Sequence, residues 1–491
     1  MRGNRLAIVI LVLIFLFSAG IRIYFALNSE NFTYDAYFNY RQVEHIKETG
    51  TPITYDELSY GGREFLFQPV FQYVLAFFTL FMPFELALKI IPNIFASMIV
   101  FMVYLITKKI TRNQNVSLFT AFLSIFVPIY FISTLNTISS LSLQMPLIFL
   151  TLYWFISRTN RAVYYFAFIA FVLPFISASS TVLVVAFLVY VIFSKIENMG
   201  VSRKETEMIL FYSFIALWRG MIIFKKAFFA HGPYVIWQNV PAIMLNQYFT
   251  QTTVAQAVLG IGILPVIVGA YLGFWFIFKY KNQDVFLLVS FALSLVVLLW
   301  LRFITPTLGL SFIGIILIIL SGLFFANMQE YLRKTRLPKL MYSLAVGFAI
   351  LMIFNLVSLS ILFAENTATV SKEEIGAMKL LSEKDKGAVL APIEMGHLIT
   401  AVAKQPNVAD TDFMLIKDAG QRLDDILKVY STPFELRAIG IADKYDAKYL
   451  YVPQNKNPSY IEDKCFKLIY SEQIKVYEII CGLEVETWKK S

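Results

Sequence analysis

The sequence predicts a polytopic α-helical membrane protein with a small α/β domain at its C-terminal end. Hydrophobic residues make up 58% of the 491 residues and charged residues only 15%, a composition that excludes a soluble globular protein. Apolar runs recur up to about residue 363, and the chain after it is polar. The formal charge of +9 is therefore interpreted through the positive-inside rule, without a nucleic-acid partner.

The apolar runs give the number of predicted membrane spans. The first, Leu6–Leu27, follows Arg2 and Arg5 and shows no small-residue cleavage pattern, so we expect an uncleaved first transmembrane helix. Further runs lie near 67–84, 86–107, 115–135, 140–157, 162–177, 180–195, 207–223, 254–278, 284–301, 309–327 and 340–363.

The basic clusters between these runs predict the topology. They are Arg2/Arg5, Lys108/Lys109/Arg112, Arg158/Arg161, Lys195/Arg203/Lys204, Lys279/Lys281 and Arg333/Lys334/Arg336/Lys339. If all are cytoplasmic, the short run 67–84 does not cross but lies in the interface, and about 11 spans remain. The N-terminus is then cytoplasmic in a plasma-membrane protein, and the outer face carries the 28–65 loop, the 224–252 loop and the 365–491 domain, with 1–364 as the transmembrane domain.

The 365–491 domain alternates helix-like and strand-like segments. Helices are expected at EEIGAMKLLSE, LDDILKVY and FELRAIGIADKY, and strands at GAVLA, KYLYVP, FKLIY and IKVYEII. The last two strands form a hairpin in a partly parallel sheet. Cys465 and Cys481 flank this hairpin about equally far from its turn, so we expect them to face each other in a disulfide on the oxidising side; two buried free thiols are the alternative.

The 28–65 loop is net acidic and interrupts the apolar sequence early, which makes it the expected place for chemistry. Asp35 lies there between Tyr34 and Tyr37, just past the first span. Asp56 and Glu57 precede a Ser-Tyr-Gly-Gly-Arg turn, and we expect them to stabilise the loop.

Several segments resemble those of a known superfamily. TYDAYFNYRQVEHIKETG, DELSYGGREF and QPVFQYVLAF resemble the first outer loop of GT-C membrane glycosyltransferases, particularly archaeal relatives of the oligosaccharyltransferase catalytic subunit, and also protein mannosyltransferase-like enzymes. LRFITPTLGLSFIGIILIILSGL is similar to a late helix that opens with arginine, and APIEMGHLITAVAKQPNVADTDF to the start of the outer domain. The resemblance implies a GT-C-like fold and transfer of a sugar from a polyprenyl-phosphate donor to a glycan, protein or lipid acceptor at the outer face of a lipid membrane.

The chain departs from the oligosaccharyltransferase pattern at three places. Residues 136–140 carry no second carboxylate, Asn239-Val240-Pro241-Ala242 stands where a glutamate is expected, and residues 392–397 replace the Trp-Trp-Asp motif. A divalent metal would need several converging oxygen ligands. We therefore expect neither a metal site nor a cofactor, and a simpler reaction than oligosaccharide transfer to asparagine.

Three residues are assigned to the reaction itself. Asp35 is the expected general base for an acceptor hydroxyl; its alternative is a solvated cap of a short helix. Arg302, at the outer end of a span, matches the family arginine that contacts the donor phosphate, and Arg63 is a second phosphate candidate. Their alternatives are interaction with lipid headgroups for Arg302 and a loop salt bridge for Arg63.

The remaining candidates are predicted to contact the acceptor or to act in the outer loops. They are Asp56, His231, Trp237, Glu394 and His397. His231 has no metal-ligand neighbours in sequence and His397 follows a turn glycine, so a bystander role for the first and a packed core role for the second are the alternatives.

Two other function classes remain open from sequence. A catalytically inactive GT-C relative, acting as an accessory or lipid-binding subunit, would also lack the second acidic motif. A transporter would be expected to show internal repeats and charges near the membrane midplane, whereas here the polar residues gather at one face.

Overall fold

The computed structural model describes residues 2–250, 252–278, 282–334, 338–462 and 464–482. Lys279, Lys281 and Arg336, which contribute to the basic clusters, lie outside the described residues. The chain divides into two compact units. The first comprises Met1–Ser29, Phe67–Lys225 and Asn246–Thr367, and the second comprises Glu30–Leu66, Lys226–Leu245 and Ala368–Ser491.

The first unit is helical and apolar. Two of its helices are shared with the second unit: Arg203–His231 ends there and Ala242–Thr250 begins there. The other helices are Arg2–Asn28, Val70–Phe78, Phe84–Ser97, Ile99–Thr111, Gln114–Leu123, Pro128–Ser133, Leu141–Ser157, Asn160–Ile176, Val182–Ile196, Val254–Ile261, Ile263–Phe278, Gln283–Trp300, Pro306–Lys334 and Pro338–Glu365. Short 3-10 turns lie at Ser124–Phe126 and Ala178–Thr181. Among the described residues, seven helices are long and apolar enough to cross a membrane, or eight if one bent pair is a single span. The chain is therefore a multi-pass membrane protein.

Three predicted spans are shorter than a membrane crossing usually requires. The apolar helices Gln114–Phe126, Leu141–Ser157 and Asn160–Ile176 have 17 residues or fewer, against about 20 for a perpendicular span. The predicted total of about 11 spans would require these helices to cross as well, and it stays a prediction. Within the predicted interfacial run, the Val70–Phe78 helix has nine residues and extends only about 14 Å, so it is too short to cross.

The predicted 254–278 span is broken. Val254–Ile261 and Ile263–Leu272 meet at an angle of 91°, and Gly262 between them has a φ of +104°. Only glycine adopts this conformation readily, and a Cβ there would lie 2.7 Å from Leu356 Cδ2. The sequence predicted one span at 254–278 without a bend, because a glycine inside an apolar run does not by itself indicate one.

The predicted 224–252 loop is largely helical. The Arg203–His231 helix continues eight residues beyond the predicted end of its span, as far as the Gly232–Trp237 3-10 turn, and the Ala242–Thr250 helix follows. The sequence offers no strong helix breaker before Gly232-Pro233, so the hydrophobic run ends before the helix does.

The second unit is an α/β structure. Its helices are Ala36–Thr49, Lys372–Ser382, the three-residue Gly396–Leu398, Ala419–Ser431 and Glu435–Lys444, and a π-helical turn lies at Ile399–Ala403. Its 3-10 turns are Gly232–Trp237, Ile393–Met395 and Ser459–Glu462. Ala388–Leu390 pairs in parallel with Ala447–Val452, which pairs antiparallel with Lys475–Ile479, and Phe466–Ser471 forms the antiparallel edge. Tyr55–Asp56 and Arg63–Glu64 form a separate antiparallel pair.

The hairpin at the sheet edge carries a disulfide. Cys465 and Cys481 are bonded across a sequence separation of 16 residues, with their Cα atoms 5.0 Å apart. The Phe466 and Ile479 positions pair beside them, and the Ile480 N–H donates to the Cys465 carbonyl. The antiparallel register thus places the two cysteines opposite each other.

Candidate functional site

Asp35 lies at the start of the Ala36–Thr49 helix. Its side chain is exposed and, within the described structure, accepts no capping hydrogen bond from the first turn. Instead, the Thr411 hydroxyl donates to Asp35 Oδ1 at 3.1 Å. Asp35 is therefore at the helix-cap position, which was the alternative to a general base in the sequence prediction. Its carboxylate nevertheless accepts its hydrogen bond from the C-terminal part of the unit and not from the helix.

Neighbouring residues fix the helix that begins at Asp35. The Tyr34 hydroxyl donates to both oxygens of Glu374, at 3.0 and 2.9 Å. Burial and the Glu374 carboxylate raise the pKa of Tyr34, so the phenol remains a proton donor at neutral pH. One turn into the helix, the Phe38 ring packs against Phe65 and His397, with centroid distances of 5.1 and 5.4 Å.

A buried polar cluster surrounds Asp410, whose side chain is 1% exposed. Arg63 Nη2 donates to both carboxylate oxygens at 2.8 Å, and the Ser59 hydroxyl donates to Oδ2 at 2.7 Å. Asn407 Nδ2 and the Asp412 N–H donate at 3.2 and 2.9 Å. The carboxylate is thus satisfied on both oxygens, as a buried charge must be.

Electrostatics keeps Asp410 ionised. Burial by itself raises the pKa of this carboxyl, but the electrostatic interactions with His397 and Arg63 and the hydrogen bonds from Ser59 and the Asp412 N–H outweigh it, so the pKa lies below its usual value. His397 Nδ1 is 3.9 Å from Asp410 Oδ2.

Contrary to the prediction from sequence, Arg63 is not placed to bind the donor phosphate. Its side chain is 2% exposed, it donates to the Asp412 carbonyl as well as to Asp410, and its guanidinium stacks on Phe65 at 4.4 Å. A guanidinium enclosed in this way has no open face for a lipid phosphate. Arg63 instead forms a salt bridge, as the alternative prediction stated, and its partner Asp410 is 347 residues away in sequence.

Asp56 is also structural. Its side chain is 1% exposed and accepts two hydrogen bonds from Arg41, at 2.6 and 2.7 Å, and one from the Leu58 N–H. This bidentate pair ties the Tyr55–Asp56 strand to the Ala36–Thr49 helix, so the carboxylate does not face an acceptor.

Glu394 and His397 occupy opposite sides of one turn. Glu394 is exposed on the Ile393–Met395 turn, directly after the Ala388–Leu390 strand, and it remains an acceptor candidate. His397 is 5% exposed and packs in the cluster, as its alternative stated. Gly396 between them approaches the neighbouring chain so closely that a Cβ would lie 2.4 Å from the Ala409 carbonyl oxygen.

His231 and Trp237 belong to a different segment of the second unit. His231 ends the long Arg203–His231 helix, and Trp237 ends the 3-10 turn, where its ring lies 6.2 Å from Tyr234. Asn239 Nδ2 fixes the end of this segment by donating to the carbonyls of Phe413 and Ile416, at 2.9 and 2.7 Å.

Arg302 lies in the first unit, just after the Gln283–Trp300 helix. The Arg302 and Phe303 N–H groups donate back to Leu299 and Leu298 and close the helix end. The side chain is exposed, Nη1 donates to Asn246 Oδ1 at 2.5 Å, and the guanidinium lies 5.5 Å from the centre of the Phe249 ring. Arg302 therefore presents a charged group that is oriented but accessible.

Asp410 and Thr411 were not among the site residues predicted from sequence. The available signal was the pair Asp410 and Asp412 in a segment of otherwise small and apolar residues, together with an arginine in the first loop that needs a partner if buried. Among the described residues, no group of three or more His, Cys, Asp or Glu side chains is placed to hold a metal ion.

Comparison with solved structures identifies the fold. The oligosaccharyltransferase of Archaeoglobus fulgidus in its apo form superposes with a TM-score of 0.72 at 14% identity, covering 91% of this chain and 69% of that one. The same organism's oligosaccharyltransferase AglB, in complex with an inhibitory peptide and a dolichol-phosphate, gives a TM-score of 0.66 at 16% identity, with 94% and 70% covered. This chain has the GT-C fold.

A second type of GT-C protein matches over its whole length. ArnT from Cupriavidus metallidurans, bound to undecaprenyl phosphate, gives a TM-score of 0.58 at 10% identity, covering 97% of this chain and 98% of that one. No protein-family model matches the chain, and no curated protein sequence matches it significantly. The resemblance to GT-C glycosyltransferases found in sequence is thus confirmed at the level of fold.

Proposed function

We propose that this protein is a membrane glycosyltransferase that moves a sugar from a polyprenyl (dolichyl)-phosphate donor to a glycan, protein or lipid acceptor at the outer membrane face. The observation that carries the proposal is the exposed carboxylate of Asp35, in the loop that resembles the first outer loop of GT-C enzymes and in a chain with the GT-C fold. The lipid phosphates named with two of the similar structures support the donor class.

The proposed reaction is an inverting displacement. The acceptor hydroxyl passes its proton to Asp35 as its oxygen forms the new bond to the anomeric carbon of the sugar. The bond from that carbon to the phosphate oxygen breaks, and the phosphate leaves with the electron pair. A cationic side chain then compensates the charge of the leaving phosphate.

Arg302 is the proposed phosphate ligand. Its guanidinium can bind two phosphate oxygens in parallel, which a lysine cannot do, and its side chain is exposed in the structure. We propose a mechanism without a tightly bound divalent metal, since residues 136–140 offer serine, threonine and asparagine where the oligosaccharyltransferase pattern has a second acidic residue. Glu394 is the proposed acceptor contact on the exposed side of its turn.

The test is donor consumption by the full chain in membranes. Dolichyl phosphate carrying tritiated mannose is supplied in one set of reactions and dolichyl phosphate carrying tritiated glucose in another. Loss of the labelled donor itself is measured after thin-layer chromatography, which detects transfer to any acceptor, including a lipid. Asp35→Asn, which is nearly isosteric, should lower turnover on the order of a hundredfold, with unchanged expression and unchanged binding of dolichyl phosphate.

Each other outcome contradicts a defined part of the proposal. Full turnover in Asp35→Asn would exclude Asp35 as the general base. A wild type that consumes neither donor would contradict the donor class and favour the accessory class. Activity that is lost with a chelator and restored by magnesium or manganese would contradict the metal-independent mechanism. Glu57→Gln in the same loop is the matched control, because that carboxylate is exposed and is assigned no part in the reaction.

A further inference from the structure

The hydrogen bond from Thr411 to Asp35 joins two parts of the second unit that are far apart in sequence. The hydroxyl lies 3.1 Å from Asp35 Oδ1, across a separation of 376 residues. Asp35 is exposed and Thr411 is half-buried. A hydrogen bond at a surface competes with water and contributes little to stability when its two partners are mobile. Whether it matters therefore depends on how firmly each partner is held.

Thr411 is held on both sides. Before it, Asp410 is buried and bonded to Arg63, Ser59 and Asn407. After it, the Asp412 carbonyl accepts a hydrogen bond from Arg63 Nη1, and the Asp412 N–H donates to Asp410 Oδ1. The short segment 410–412 is thus closed around the Arg63 guanidinium, and the Thr411 side chain projects from a fixed backbone.

Asp35 is held against the same cluster from the other direction. Tyr34, the preceding residue, is bonded to Glu374. Phe38, on the first turn of the helix, packs on the His397 ring, which lies beside Asp410. Because both backbones are fixed, the Thr411 hydroxyl meets the carboxylate without a large loss of conformational entropy.

We propose that Thr411 is a positioning residue for the general base. This inference rests on the proposed function, in which Asp35 takes the acceptor proton. By donating to Oδ1, Thr411 fixes the rotation of the carboxylate and leaves Oδ2 to accept that proton. Thr411 itself transfers no proton and touches neither donor nor acceptor. The buried Arg63–Asp410 pair has the further role of holding the segment that carries Thr411.

The expected consequence is a selective loss of turnover. A carboxylate that rotates freely spends less time in the productive orientation, and misplacement of a reacting group lowers the rate of the chemical step. Thr411→Val keeps the shape and removes the hydroxyl, so turnover should fall on the order of tenfold, with an unchanged KM for the dolichyl-phosphate sugar. Thr411→Ser keeps the donor and should restore at least half of the wild-type turnover.

The experiment uses the full chain and the donor-consumption assay. Thr49→Val is the matched control, because Thr49 ends the helix that Asp35 begins and its exposed hydroxyl bonds only to local backbone and Thr51 in the described structure; it should keep wild-type turnover. The melting temperatures of all variants are measured in parallel, and Thr411→Val should melt with the wild type. The proposal is overturned if Thr411→Val and Thr411→Ser lose turnover equally and both melt at a temperature low enough to explain that loss. The role of Thr411 would then be purely structural.

A double substitution separates this inference from the proposed function. If Thr411 acts through Asp35, Asp35→Asn combined with Thr411→Val should be no slower than Asp35→Asn alone. Additive losses would show that Thr411 acts elsewhere. If Asp35→Asn is inactive but Thr411→Val turns over like the wild type, only the positioning role fails. If Asp35→Asn is fully active, the part of the proposed function that makes Asp35 the general base fails.

Discussion

Two carboxylates of the second unit illustrate how the same chemical group serves different ends. Asp410 is buried and accepts hydrogen bonds from Arg63, Ser59, Asn407 and the Asp412 N–H, whereas Asp35 is exposed and accepts one from Thr411. A carboxylate whose lone pairs are all occupied cannot take a proton from a substrate without breaking the fold. A carboxylate that retains an accessible oxygen can take that proton. Burial and hydrogen bonding therefore separate the structural acid from the proposed catalytic one.

The two arginines assigned to phosphate by sequence differ in the same way. Arg63 is enclosed by Asp410, the Asp412 carbonyl and aromatic rings, while Arg302 is exposed and bonded to a neutral amide. A guanidinium that already has a carboxylate partner gains little from a phosphate. Of these two arginines, only Arg302 remains a candidate for binding the donor phosphate.

The largest effect is expected from breaking the buried pair. Asp410→Asn keeps the shape of the side chain but leaves the buried Arg63 charge with only the more distant Asp412 carboxylate, 4.0 Å away. This loss should lower the free energy of unfolding by about 3 kcal/mol. Thermal unfolding of the purified full chain, followed by intrinsic fluorescence, measures this change. Asp35→Asn is the control and should melt within about 0.5 kcal/mol of the wild type.

A double substitution tests whether the charge or the packing matters. Arg63→Met combined with Asp410→Leu removes both charges and should be closer to the wild type in stability than either single variant. Equal stability of Asp410→Asn and the wild type would show that the cluster does not hold the loop.

A smaller effect is expected where the chain approaches Asp410 most closely. Gly396→Ala would place its Cβ 2.4 Å from the Ala409 carbonyl oxygen and from Asp410 Cβ, and such overpacking should cost about 1–3 kcal/mol. Turnover should fall with stability, because the segment that carries Thr411 must move.

The matched control is Gly420→Ala, at an exposed position near the start of the Ala419–Ser431 helix. A Cβ there meets no atom within 4 Å, and alanine is the better helix former, so stability should stay equal or rise slightly. If the two alanine variants melt alike, the close approach at Gly396 does not constrain the cluster.

The next effect concerns Arg302 and binding rather than stability. Arg302→Ala should weaken binding of dolichyl phosphate by about tenfold, since it removes a charge-assisted bidentate contact. Arg302→Lys should recover only part of the affinity, because a point charge does not replace a planar fork. Binding is measured by titrating the purified chain with dolichyl phosphate. Equal affinity in the three proteins would exclude the phosphate role, and melting temperatures should not change.

The sequence predicted the features that arise locally. The apolar runs, the start of a helix at Asp35 and the Cys465–Cys481 hairpin each depend on residues close together in the chain, whose periodicity and turn signals are legible. The superfamily resemblance added the fold, which comparison with solved structures confirmed.

The features that sequence missed depend on contacts between distant residues. Arg63 and Asp410 are 347 positions apart, and nothing near either residue specifies the other. At the bend, Gly262 likewise lies close to Leu356, a residue far from it in sequence. An exposed and a buried aspartate look alike in a single sequence, so the division of roles between Asp35 and Asp410 required the structure.

The smallest expected effect is the pH dependence of the buried pair. The pKa of Asp410 in the folded protein lies below the usual value of an aspartate carboxyl, because electrostatic interactions and hydrogen bonds outweigh the effect of its burial. The unfolded chain therefore binds a proton at this group at a higher pH than the folded chain does, and stability rises with pH across that interval. The contribution is fully present above the unfolded pKa and is lost as the pH falls through the folded pKa.

Comparing the wild type with Asp410→Asn isolates this titration, since all other groups titrate in both proteins. The difference in melting temperature between them should be constant from pH 7 to about pH 5, one unit above the ordinary aspartate value. It should then narrow as the pH is lowered towards 3, as the wild type gains a proton and comes to resemble the asparagine variant. A difference that stays constant or widens over that range would mean that ionised Asp410 is not what stabilises the cluster. In that case, a structural role of the ionised carboxylate would no longer distinguish Asp410 from the exposed Asp35.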